Sequence, residues 1–179
     1  MKAINHFITI TQHRRLVRQG CFKVGLYWRG MTHDLSKYSP TEFLVGVKYY
    51  QGNRSPNNAE REDKGFSEAW LHHKGRNKHH YEYWIDYSNK GIPGGFAPAP
   101  MPDQYIVEMF MDRVAACKIY QKEKYTQESP LAYYESGKLP PPLHEKTKTM
   151  LELLLHMLAE KGEEETYRYI RTEILHKAR

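Results

Sequence analysis

The stretch His33-Asp34-Leu35-Ser36-Lys37, followed at once by Ser39-Pro40-Thr41-Glu42, sets two ligand-type side chains directly before a helix start. A histidine followed by an aspartate offers an imidazole nitrogen and a carboxylate oxygen from adjacent positions, so one divalent ion can draw a ligand from each and be partly neutralised. The plainer alternative makes His33 a turn cap and Asp34 an N-cap. The wider sequence favours the first: of ten histidines in the chain, His72, His73, His79 and His80 fall within nine residues of one another. Ser39 suits an N-cap, Pro40 the first helical position and Glu42 the third, which is the spacing of a capping box, and Phe43, Val47 and Tyr50 continue a helical stripe.

Working outward, residues 4–28 have the period of a helix. Ile4, Phe7, Ile8, Leu16, Val17, Val24 and Leu26 form its buried side, Arg14, Arg15, Arg18 and Lys23 its outer side, and a break is expected near Gly20 or Gly25. Gly30 is expected to turn the chain into His33-Asp34. His13, one turn before Leu16 and Val17, lies at the edge of the buried face and is a ligand candidate. Beyond the next helix, residues 51–58 form a polar loop whose Asn53, Arg54 and Ser55 can donate to a phosphate. The window from Ala69 to Trp84 is expected to be helical before Gly75 and again after Asn77, so that its imidazoles converge around the break. Asn77 can fix a ring by accepting its free N–H, and His72 is expected to face away.

Residues 86–102 are rich in Gly and Pro and lack periodicity, as a loop or a flap over the site would. From Asp103 a largely buried helix carries Tyr105, Val107, Met109, Val114 and Ile119. Glu108 and Asp112 lie on one face of it; Asp112 is the ligand candidate, whereas Glu108 suits solvent or a pairing with Arg113. After a turn at Leu139-Pro140-Pro141-Pro142, a helix with Met150, Leu151, Leu154, Leu155 and Leu158 is expected to end at Gly162. A last segment, 163–176, has apolar residues at helical spacing that suit packing or self-association into a homo-oligomer.

The chain has 179 residues and an excess of six basic over acidic groups, which favours an anionic partner, though no basic run is long enough for a nucleic-acid arm. Cys21 and Cys117 are far apart and lack metal-ligand spacing, as in a reduced intracellular chain. The N-terminus lacks a signal-like apolar core, and no apolar run could span a bilayer. A soluble, cytoplasmic, all-α protein follows, a single domain over 1–179 with a motif-bearing core at about 4–122 and a helical extension at about 143–177.

The order His13, His33-Asp34, a histidine cluster and Asp112 resembles the HD superfamily of metal-dependent phosphohydrolases. More closely, His-Asp-Leu-Ser-Lys-Tyr-Ser-Pro-x-Glu-Phe from His33 to Phe43, the window His73-x3-Asn77-x-His79-His80-x-Glu82, and Glu108-Met109-x2-Asp112 resemble an HD-like family of bacteria and their phages that has no assigned function. The resemblance runs from about His13 to Asp112. It implies an HD-domain-like helical bundle with a metal site at its centre, held by His13, His33, Asp34 and Asp112, with His73, His79 and His80 for a second ion. Because only twenty residues separate His13 from His33, fewer than in most members, His6 is the other candidate for the first ligand. The implied cofactor is one or two divalent ions, drawn from Fe, Mn, Co, Ni and Mg. Asp34 would bridge and, with Lys37, form the catalytic pair; Lys37, Arg54, Arg76 and Asn77 would bind substrate. The expected function is hydrolysis of a nucleotide or another small phosphoester. A non-catalytic module that sequesters a nucleotide, such as a phage would encode, and an HD-type di-iron oxygenase are the alternatives.

Overall fold

The computed structural model describes residues 1–89, 94–137 and 141–175. The N-terminal periodicity becomes α1 (Lys2–Lys23) and, after a break, α2 (Tyr27–Thr32). The break falls at Gly25, where φ is +84°, a value glycine adopts without steric cost. Gly30 does not turn the chain as expected: it lies inside α2, where a Cβ would come within 3.0 Å of Cys21 Cβ. Its hydrogen side chain lets α2 pack on α1. The buried side of α1 also differs from the expectation. Ile4, Phe7 and Ile8 are exposed, and the face turned inward carries His6, Ile10, His13, Val17, Gly20 and Cys21. Counting apolar residues misplaces this stripe because two histidines occupy it.

A short 3₁₀ turn (Leu35–Tyr38) leads to α3 (Pro40–Tyr49), with Pro40 in its first turn and the Ser39 hydroxyl accepting from the Glu42 amide. Then come α4 (Pro56–Lys64), which starts inside the expected polar loop, and α5 (Glu68–Lys74), capped by Ser67. Contrary to the expectation of renewed helix after Asn77, the chain makes turns and a 3₁₀ segment, Tyr81–Trp84. Within the expected loop at 86–102 lies an antiparallel pair, β1 (Ile85–Tyr87) and β2 (Phe96–Pro98), in register Ile85↔Pro98 and Tyr87↔Phe96. Three residues per strand are too few to show an alternation of two.

The centre of the bundle is α6 (Asp103–Gln121), buried along most of its length. Val17 and Cys21 of α1 meet Ile106, Phe110, Met111 and Val114 of α6 in one core with Leu151, Leu154, Leu155 and Leu158. The leucines belong to α8 (Glu145–Tyr169), which follows α7 (Ser129–Glu135). At Gly20 an added Cβ would lie 2.7 Å from Met111 Sδ, so the glycine sets how closely α1 approaches α6. Gly162 interrupts α8 rather than ending it: its φ of +81° and ψ of 174° kink the helix, which then runs on into a π-helical turn, Ile170–Leu175. Leu139, Pro140 and His176, named in the sequence expectations, lie outside the described residues. The fold is an all-α bundle with one small hairpin. Among the described residues, no helix is long and apolar enough to cross a membrane.

Candidate metal centre

Asp34 occupies the middle of the site, and its backbone explains how it gets there. The chain leaves α2 at His33 and takes the left-handed conformation at Asp34 (φ 52°, ψ 28°) before the 3₁₀ turn begins. Aspartate is one of the few residues other than glycine that visits this region routinely. The reversal buries both carboxylate oxygens: the residue is 0% exposed.

The two oxygens face different partners. Oδ2 lies 3.3 Å from His33 Nε2 and 3.8 Å from His13 Nε2, while Oδ1 lies 3.2 Å from His73 Nε2 and 3.3 Å from His79 Nε2. His13 Nε2 in turn stands 2.8 Å from Asp112 Oδ1, and Lys37 Nζ lies 2.6 Å from Asp34 Oδ2. Two groups of ligand-type atoms result, each with its atoms within 4.8 Å of one another: His13, His33, Asp34 and Asp112, and Asp34, His73, His79 and His80. Asp34 belongs to both. The sequence stretches that supply them are α1, the α2–α3 junction, the end of α5, the turn after it and the middle of α6.

The inward-facing nitrogens make no hydrogen bond within the protein. Nε2 of His13, His33, His73, His79 and His80 and both oxygens of Asp34 are buried without a hydrogen bond of good geometry, although Lys37 is ion-paired to Asp34 Oδ2 and His13 to Asp112. Buried polar atoms are rarely left so. Seven of them around two points are explained if lone pairs converge on shared cations, and that makes the donor set fit a divalent metal.

The outer nitrogens support the same arrangement. Glu108 Oε1 accepts from Nδ1 of His33 (2.9 Å) and of His79 (3.2 Å). Glu42 accepts from Nδ1 of His73 (2.8 Å) and of His72 (2.6 Å). A ring that donates from Nδ1 keeps its Nε2 lone pair free, and carboxylates behind ligating histidines fix that tautomer and raise ligand basicity. Glu108 is buried and pairs with imidazoles rather than with solvent or Arg113, which corrects the sequence expectation. Glu42 turns its carboxylate to the histidines, so only half of the capping box forms. The pairing of either acid with a histidine gave no signal in the sequence, because the partners lie 29 or more positions away in the chain.

Charge and burial compete throughout. Burial alone would raise the Asp34 carboxyl, but His33, Lys37 and His73 hold it well below the usual carboxylate range. Asp112 is likewise held low against burial by His13 and His33, and Glu108 by His33 and His79. Burial, reinforced by His79 and His73, drives His80 well below an ordinary imidazole. Burial and Lys37 also depress His13, against the pull of Asp112 and Asp34. His33 moves the other way: although burial opposes it, Asp34 and Asp112 raise it.

The remaining sequence candidates lie elsewhere. His6 is outside both ligand groups, its ring 5.3 Å from that of Phe43 and 5.7 Å from that of Tyr50. Arg54 makes a bidentate pair with Glu62, at 2.6 Å to each oxygen, and the exposed Arg76 donates to the His72 carbonyl. The Asn77 amide donates to the His73 carbonyl and to Ser36 Oγ, both at 2.8 Å, so it orders the turn that carries His73; the ring N–H of His73 goes to Glu42 rather than to Asn77. His72 turns away from the ring cluster onto Glu42.

A family model, described as a family of unknown function, matches residues 2–157 of the chain. No curated protein and no solved structure matches it.

Proposed function

We propose that this chain, which belongs to DUF5662, is an HD-type metal-dependent phosphohydrolase acting on a nucleotide or another small phosphoester. The observation that carries the reading is the sharing of Asp34 between two ligand groups whose inward nitrogens make no hydrogen bond within the protein. His13, His33, Asp112 and one Asp34 oxygen would hold one divalent ion; His73, His79, His80 and the other oxygen would hold a second. Such ions supply Lewis-acid polarisation of a phosphoryl oxygen and activation of water near neutral pH. The mixed imidazole and carboxylate set suits iron or manganese, and cobalt, nickel or magnesium are also compatible with it.

The protein's own groups do the rest. Glu42 and Glu108 hold three of the imidazoles in one tautomer and one orientation. Lys37 is ion-paired with Asp34, and its ammonium would meet negative charge on a phosphoryl group. Burial of the ligands excludes bulk water, which strengthens each of these interactions.

The test has two arms. Elemental analysis of untagged protein should find about one or two equivalents of a transition ion per chain, and Asp34→Asn should reduce this to less than about a tenth of an equivalent. A screen of nucleotides and generic phosphoesters with Mn, Fe, Co, Ni and Mg should then reveal turnover that Asp34→Asn abolishes while helix content stays unchanged. Metal without turnover, together with tight retention of one compound, would replace hydrolysis by sequestration.

A further inference from the structure

We infer that the substrate is a phosphomonoester, presented end-on by a single terminal phosphoryl group at the edge formed by Lys37 and Asp112; this rests on the hydrolase reading above. The first ground is access. His33, Asp34, His73 and His79 are 0–1% exposed. Of the charged groups around Asp34, only the side chains of Asp112, at 18%, and Lys37, at 27%, reach solvent appreciably. A terminal phosphoryl group can enter such a site from one side. A phosphodiester would have to seat its second substituent along the same narrow edge, beside the first, where a monoester needs room for one.

The second ground is the supply of cations. A phosphomonoester carries about −1.5 to −2 charge at neutral pH, and a triphosphate spreads a larger charge along a chain of three groups. Lys37 is the cation paired with Asp34. Arg54 pairs with Glu62 and Arg14 with the carbonyls of His33 and Met31, so neither is directed at the ligand carboxylates as Lys37 is. Arg76 is held at the His72 carbonyl on the outside of α5. One ammonium serves one phosphate.

The reaction assigned to this edge balances with water alone. Water oxygen forms the new P–O bond, the ester P–O bond breaks, and one proton of the water goes to the departing alkoxide. The products are an alcohol and hydrogen phosphate.

The test uses the full chain loaded with manganese. Hydrolysis of p-nitrophenyl phosphate is compared with that of bis(p-nitrophenyl) phosphate, and phosphate release from AMP with hydrolysis of ATP. Calorimetry with inorganic phosphate is run on the wild type, Lys37→Gln and Lys37→Arg. Expected are kcat/KM ratios of about 100 or more in favour of each monoester. Phosphate affinity should fall about tenfold in Lys37→Gln, the loss of one charge-assisted contact, and return substantially in Lys37→Arg. Equal or faster turnover of the diester or of ATP overturns the inference and leaves the hydrolase reading standing. An unchanged phosphate affinity in Lys37→Gln also overturns it, by removing the anchor. No turnover of any compound, with Lys37-dependent phosphate binding intact, ends the hydrolase reading but supports single-phosphate recognition. No turnover and no phosphate binding overturns both.

Discussion

Glu108 accepts from two imidazoles through one oxygen, so neutralising it loosens two ligands at once. Glu108→Gln should therefore weaken metal binding by about 10- to 100-fold, the range seen when partners behind ligating histidines are lost, as read by competition with a chromogenic chelator. Glu42→Gln acts through His73 alone and should fall at the lower end. His72→Ala, which removes no inward nitrogen, should change affinity less than threefold or so; a loss equal to that of His73→Ala would place His72 among the ligands. The candidate ligands were legible in the sequence because His, Asp and their spacing carry chemistry that few other residues imitate. The role of their supporting acids was not, although Glu108 stands in a quoted motif, since a glutamate on a helix looks the same whether it faces water or an imidazole. His6 makes a separate point. Burial, with Lys37 adding to it, lowers its pKa from 6.5 to about 4. The unfolded chain then binds the proton more readily than the folded one, so this group's contribution is complete above about pH 6.5 and is lost as the pH falls toward 4. Melting temperature followed across that window should fall more steeply for the wild type than for His6→Gln. Parallel curves would mean that His6 titrates as it does in the unfolded chain.

Among the elements, α1, α3 and α6 act as the scaffold of the site, and glycines set two of their contacts. At Gly46 of α3 an added Cβ would overlap the His6 ring, which is wedged among Gly46, Phe43 and Tyr50. At Gly20 of α1 it would meet the sulfur of Met111, an unbranched side chain that can change rotamer within the core. Alanine would otherwise favour either helix by up to about 1 kcal/mol. Gly46→Ala should nevertheless destabilise by about 1–3 kcal/mol, the usual scale of overpacking, while Gly20→Ala should cost about 1 kcal/mol or less. Urea midpoints of the two variants decide this, and the reverse order would show that the His6 ring swings away freely. Element types followed from the sequence where a single apolar stripe spans several turns, as with Leu151, Leu154, Leu155 and Leu158 of α8. They failed where length or polarity hid the pattern. The strands of the hairpin have three residues each, α4 is mostly polar, and the inward stripe of α1 contains His6 and His13.

At the scale of the whole molecule, the ligand set joins parts of the chain that are remote in sequence, from His13 in α1 to Asp112 in α6. An ion that binds the folded chain and not the unfolded one stabilises by mass action, by about 2.7 kcal/mol when free ion stands at 100 times its dissociation constant. For a chain of this size each kcal/mol moves the midpoint by about 2–4 °C, so chelation should lower Tm by about 5 °C or more. No shift on chelation or reloading, with the ion measured as bound, would mean that the unfolded chain holds it equally well. The bridging position of Asp34 carries this into kinetics. Its Oδ1 meets His73 and His79, and its Oδ2 meets His13, only after α1 and α5 have closed on it, so a bound ion would act as a late-closing clasp, one expected to form after the folding barrier. Interactions formed after that barrier slow unfolding and leave folding nearly untouched. The loaded protein should accordingly refold at the rate of the stripped one and open far more slowly, so that its persistence under a protease is governed by how long the clasp stays shut.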